Sequence, residues 1–267
     1  MTSGDTARAP APEQSARVLV VDDNEVNRDL IKRQIARLGH ACDVVEDGSR
    51  ALEALRGGNY TLLLTDLRMP VLDGYELARA VRLDADFAGR NLAIFAISAD
   101  KESPARINED FTGYLSKPIP RSRLAEILAT YVDGPPCAVR GAEHARAESP
   151  QAPDCGAVFE GAVLQRLLGD DPAEIRYMLG EFMTMADAQV AALESAYDAG
   201  DPVLAGEIAH KLKSAAASVG CYVFSQQCAQ IERAANDADF ERLVDYREPC
   251  VNAYRQLVTA IDTYLEN

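Results

Sequence analysis

Asp22 and Asp23 close one short apolar run, Asp66 closes a second and Lys117 follows a third, while His210 stands three residues before Lys213 on an amphipathic segment. Carboxylates drawn into one small volume repel one another unless a cation sits among them, and ligation by oxygen alone selects Mg2+ or Mn2+. A lysine ammonium beside such a cluster offers a point charge to an incoming phosphoryl oxygen, and Ser98, after a fourth apolar run, offers a hydroxyl. A histidine that attacks phosphorus has other needs: a neutral, accessible imidazole and a nearby cation, here Lys213. Two phosphoryl-accepting centres of different chemistry are therefore expected in one polypeptide.

The elements that must position them follow from the periodicity. Strands are predicted at Val18 to Val21, Ala41 to Val45, Leu62 to Thr65, Leu92 to Ile97 and Gly113 to Leu115, alternating with helical patterns. That alternation predicts an α/β domain with a five-stranded parallel sheet, in which functional groups collect at the carboxyl ends of the strands. Leu30, Ile31, Ile35 and Leu38 mark the buried stripe of the first helix. Beyond the sheet, Asp133 to Asp154 is rich in Pro, Ala, Gly and charge and reads as a flexible linker. With about twenty residues its reach is roughly 25 Å, enough to bring His210 to Asp66 of the same chain.

The last third is helical throughout. Ile175, Met178, Leu179, Phe182, Met185, Val190 and Leu193 form one apolar stripe; Leu204, Ile208, Leu212, Ala215 and Val219 form the next. Phe224, Cys228, Ile231 and Ala235 make a third, and a fourth runs from Phe240 to Leu265, interrupted at Arg247. An antiparallel four-helix bundle is the expectation. His210 is turned about 200° from Ile208, which directs it away from the core and toward water. The domains are thus predicted as 16–132, a linker 133–154, and a bundle 155–267.

Composition narrows the partners. With 42 acidic against 27 basic residues, a net charge of −15, the surface should repel a nucleic-acid backbone. The apolar runs are too short to span a membrane and residues 1–15 lack a signal-peptide core, so a soluble cytoplasmic chain is expected. The six cysteines lack a C-x-x-C pair and fit reduced thiols, with Cys228 and Cys250 as small core residues.

The blocks VLVVDDNEVNRDL, LLLTDLRMPVLDGYEL, IFAISAD and GYLSKPI resemble the receiver domains of two-component signalling. The resemblance implies that Asp66 accepts the phosphoryl group and that Asp23, Asp66 and the backbone carbonyl of Arg68 ligate the metal, with Asp22 acting through water. It also implies that Ser98 and Tyr114 form a switch pair, and that Lys117 precedes a proline of a kind often cis. The spacing from Ser98 to Lys117 is about one helical turn short for that family, so the intervening helix should be short or irregular. The segment AHKLKSAAASVG, with Cys228, Ile231 and Glu232, resembles histidine-containing phosphotransfer domains, with Ser214 standing where glycine is frequent. The DDNEVNR form, with Asn27 and Arg28, resembles receivers attached to hybrid sensor kinases.

The combined expectation is a phosphorelay protein passing a phosphoryl group between Asp66 and His210, with a histidine kinase and a downstream receiver as partners and no kinase domain of its own. Two rivals remain open. In one, phosphorylated Asp66 merely changes a docking surface; in the other, the bundle drains a partner receiver and Asp66 hydrolyses the phosphate. A lid formed by Arg68 and Asp100 across the mouth of the site is a further expectation.

Overall fold

In the computed structural model, residues 17–99, 109–134 and 157–266 are described. The first part is a five-stranded parallel sheet of order β2-β1-β3-β4-β5, from β1 (Arg17–Val21), β2 (Cys42–Val45), β3 (Tyr60–Asp66), β4 (Ala93–Ser98) and β5 (Gly113–Ser116). β3 extends beyond the expected strand at both ends, carrying Asp66 inside the ladder. Val18 to Val21 and Leu62 to Leu64 are fully buried, as strands covered on both faces must be. Those covers include α1 (Glu25–Arg37), α2 (Gly48–Gly57), α3 (Gly74–Leu83) and α4 (Arg121–Tyr131). The expected linker falls mostly on residues 135–154 and the irregular helix on 100–108, both outside the described residues, as is Asp100.

Two local devices set the acidic edge. Asn24 caps α1, its side chain accepting from the amides of Val26 and Asn27, so the helix begins directly after Asp22 and Asp23. Gly74 opens α3 against the end of β3: a Cβ there would stand 2.2 Å from the Asp66 carbonyl oxygen, so only glycine allows this approach.

The second part comprises α5 (Ala162–Leu168), α6 (Pro172–Ala199), α7 (Pro202–Ser218), α8 (Tyr222–Asn236), α9 (Phe240–Asp245) and α10 (Arg247–Glu266). Asp171 and Asp201 cap α6 and α7, each followed by a proline at the first helical position. α7 packs against α6 and α8, and α10 packs against both as well. The long terminal helix expected from Phe240 onward is instead two, divided at Tyr246, and α5 is an addition to the four stripes read from the sequence. Leu204, assigned to the buried stripe, is 42% exposed; burial on α7 begins at Ala205. Cys228 and Cys250 are buried free thiols, as expected.

The two parts are in contact along α1, which touches α5, α6 and α7. Ile31 and Ile35 face the sheet, but Val26 and Leu30 belong to the apolar cluster of the helical part. Leu30 is therefore buried for a different reason from the one its stripe implied. Among the described residues, no helix is long and apolar enough to cross a membrane.

Candidate functional site

The parallel register pairs Val21 with Thr65, which brings Asp22 and Asp66 level at the carboxyl edge of adjacent strands, where the strand order reverses. Carboxylate oxygens of Asp22, Asp23 and Asp66 lie within 4.8 Å of one another. Lys117, just past β5, closes the cluster: its Nζ donates to Asp22 Oδ2 at 2.7 Å and also to Asp66 Oδ2. Its side chain is almost wholly enclosed. Burial opposes its charge, but the two carboxylates outweigh burial and raise its pKa. Burial also pushes Asp22 up to about 6, with Lys117 pulling it down and Asp66 pushing it up. For Asp66 burial is opposed by Lys117, by His210 and by the Arg68 amide, which donates at 3.2 Å, and the net direction is down.

Ser98 is buried at the end of β4, and the Tyr114 hydroxyl donates to the Ser98 backbone carbonyl at 3.4 Å. The Lys117–Pro118 peptide is cis, as the resemblance implied. Asp22 Oδ1 accepts from the Asn24 amide at 2.9 Å and from Asn27 Nδ2 at 3.2 Å, and Arg28 Nη1 donates to the Asp22 carbonyl at 2.6 Å.

His210 does not stand in open water. Its side chain is only 18% exposed: Glu232 of the next helix packs against it, and the sheet domain meets α7 along α1. A helix's own period says which way a side chain leaves the axis, not what a neighbouring element lays upon it. The imidazole Nδ1 is 2.8 Å from Glu232 Oε1 on α8. The other oxygen of the same carboxylate, Glu232 Oε2, takes Lys213 Nζ at 2.7 Å. Burial lowers the Lys213 pKa despite that partner. Glu232 is held down at about 2: burial works against its charge, and His210 and Lys213 overcome burial. One turn before His210, α7 passes close to α8: a Cβ at Gly206 would meet Ala235 at 2.8 Å.

The two centres touch. Arg68, whose amide holds Asp66, sends its guanidinium to Glu232 Oε1 at 2.6 Å. Lys211 Nζ reaches Asp23 Oδ2 at 3.2 Å, and the Lys211 carbonyl accepts from Asn24 Nδ2, also at 3.2 Å. Ser214 Oγ accepts from Lys117 Nζ at 3.1 Å and from Asn27 Nδ2 at 3.0 Å, so a serine of the bundle enters the acidic centre. Sequence reasoning gave Ser214 only steric importance and Glu232 no partner. The signal for Glu232 was its place on the helix after His210, but pairing between two helices has no sequence period.

Residues 18–129 match the family model of the response regulator receiver domain, and residues 177–265 that of the Hpt domain. The chain is 28% identical over 237 residues to the sensor histidine kinase AruS of Pseudomonas aeruginosa, an alignment spanning 86% of this chain and 22% of that one. It is 30% identical over 242 residues to the virulence sensor protein BvgS of Bordetella pertussis, across 86% of this chain and 19% of that one. The chain thus spans about a fifth of the length of these relatives. A solved receiver domain of a sensor histidine kinase from Pseudomonas aeruginosa, with magnesium coordinated in its active site cleft, is 33% identical. It covers 45% of this chain and 98% of its own, with a TM-score of 0.41. Acidic cleft and histidine-bearing bundle are thus the two halves of one assembly: the chain belongs to the two-component signalling proteins, a response regulator receiver domain followed by an Hpt domain.

Proposed function

We propose that this chain is a phosphorelay segment in which a phosphoryl group passes between Asp66 and His210, with residues 16–132 as the receiver, 133–154 as tether and 155–267 as the phosphotransfer domain. One observation carries the reading: Arg68 holds Asp66 by its amide and Glu232 by its guanidinium, while Glu232 holds His210. Donor and acceptor are thereby linked through two residues.

In the transfer, the His210 Nε2 lone pair forms a bond to phosphorus as the bond from phosphorus to the Asp66 oxygen breaks. In the neutral imidazole, donation from Nδ1 to Glu232 leaves the lone pair on Nε2. As Nε2 bonds to phosphorus the ring becomes cationic, its Nδ1 proton stays in place, and the Glu232 carboxylate beside it offsets the new charge. The electron pair of the broken bond stays on the Asp66 carboxylate, which Lys117 receives. Ser98 is assigned a phosphoryl oxygen and Lys213 the charge near phosphohistidine, with Ser98 and Tyr114 as the switch pair.

Asp22, Asp23 and Asp66, with the Arg68 carbonyl, are the proposed ligands for Mg2+ or Mn2+. The donor set fits a hard divalent cation: every side-chain ligand is a carboxylate, and the neighbouring Asn27 Oδ1 is buried without a hydrogen-bond partner. When bound, the cation offsets the charge brought by an entering phosphoryl group. A histidine kinase upstream and a second receiver downstream are the proposed partners, with no nucleic acid and no membrane contact by these domains. A cytoplasmic setting accords with the buried free thiols Cys221, Cys228 and Cys250.

The test is exposure of the full chain to a small acyl phosphate with Mg2+, followed by intact mass and peptide mapping. The expected result is an adduct on Asp66 and then His210, confined to Asp66 in His210→Gln and lost in Asp66→Asn. An undiminished adduct in the double variant would overturn the reading.

A further inference from the structure

Val26, Leu30, Arg33 and Arg37 recur at i, i+4, i+7 and i+11 and so form one face of α1. Its first half is apolar and buried with the bundle. Its second half is cationic and meets the acidic start of α6. Glu174 takes Arg33 Nη1 on Oε1 at 3.4 Å and Arg37 Nη2 on Oε2. Arg37 Nη2 is also 3.8 Å from Asp171, the cap of α6, and the Arg33 guanidinium lies 4.2 Å over the Tyr177 ring. Glu174 and Tyr177 are three residues apart and share a face. Room for Arg37 comes from Gly169, where φ is +81° and a Cβ would stand 2.9 Å from Arg37 Nη1.

None of these groups can assist phosphoryl transfer. Arg37 is ten residues along α1 from Asn27, about 15 Å at the rise of a helix. Charges at the rim of an interface act on encounter and on the choice of partner. The Glu174 side chain is 16% exposed, so a receiver without cations at these helix positions would leave that carboxylate largely desolvated and unpaired.

We infer that Arg33 and Arg37 on α1, with Glu174 and Tyr177 on α6, form a recognition surface by which the phosphotransfer bundle selects the receiver of its own chain. The partner it fits is a receiver helix bearing two cations one turn apart, beyond an apolar half. The inference deepens the proposed function and rests on it for the kinetic readout alone.

The experiment compares the full chain, Glu174→Arg, and the charge exchange Arg33→Glu/Arg37→Glu/Glu174→Arg. Two quantities are read: the radius of gyration by small-angle X-ray scattering without phosphate, and the first-order rate of phosphate passage from Asp66 to His210. Glu174→Arg should expand the chain and slow passage about tenfold, a loss in the range for a rim pair turned to repulsion. The exchange should recover most of both. Equal values in the full chain and Glu174→Arg, or no recovery in the exchange, would overturn the recognition surface. Should the unaltered chain pass no phosphate at all, the relay reading fails, while the scattering series still decides whether this surface docks the domains.

Discussion

Lys117 and Lys213 are both enclosed ammonium groups beside a residue proposed to accept the phosphoryl group, yet their pKa values move in opposite directions. Lys117 is shared by two carboxylates, and their attraction exceeds the cost of burial. Lys213 is paired with Glu232, a carboxylate that His210 and Arg68 also share, and burial prevails. The sheet-domain centre gathers three carboxylates around one buried ammonium, and the bundle centre is a carboxylate shared among His210, Lys213 and Arg68. On the proposed reading, the first accepts more negative charge only with a cation and the second holds the nucleophile. An acyl phosphate needs its charge contained; a phosphohistidine needs mainly a ring held at the right angle.

The largest effect expected from this contrast is on stability. Lys117→Ala removes the partner of two buried carboxylates and should cost about 3–5 kcal/mol in urea unfolding without divalent cations. Lys213→Ala leaves Glu232 with His210 and Arg68, so its cost should be about 1 kcal/mol. Equal losses would erase the distinction. Chelation should separate the two centres in activity: removal of divalent cations stops entry of phosphate at Asp66 but leaves phosphate already on His210 in place, as followed by acid-labile label.

A finer split concerns Glu232. Glu232→Gln keeps an acceptor for Nδ1 but removes the charge, and should slow arrival at His210 about tenfold; Glu232→Ala loses both and should slow it further. If the alanine variant is no slower than glutamine, the carboxylate does not orient the ring. The smallest effect is with pH. Glu232 is held at about 2 from an ordinary 4.5, so its contribution is present above 4.5 and fades as pH falls toward 2. The urea midpoint of the unaltered chain should therefore fall more steeply over that acid range than that of Glu232→Gln.

The sheet was legible because its strands are short, apolar and separated by helical patterns, and the acidic cluster because strand ends converge in a parallel sheet. α5 escaped because seven residues, Ala162–Leu168, span barely two turns and give too little periodicity to register. The break at Tyr246 escaped because the apolar stripe runs across it. Leu30 was read from its own helix, and it owes its burial to the other domain. His210 was read in the same way, and the carboxylate that holds it comes from the neighbouring helix of the bundle. The Arg68 side chain, expected at the mouth of its own domain, is taken across the interface by Glu232.

The two-sided burial of α1 bears on how the protein melts. Ile31 and Ile35 lie in the core beneath the sheet, and Val26 and Leu30 in that of the bundle, so α1 is a shared member of two cooperative units. Loosening the bundle strips apolar cover from a helix on which the sheet also depends. Heat absorbed by one unit is then felt by the other, and calorimetry of the joined chain should give one merged transition where Leu30→Ala begins to resolve two.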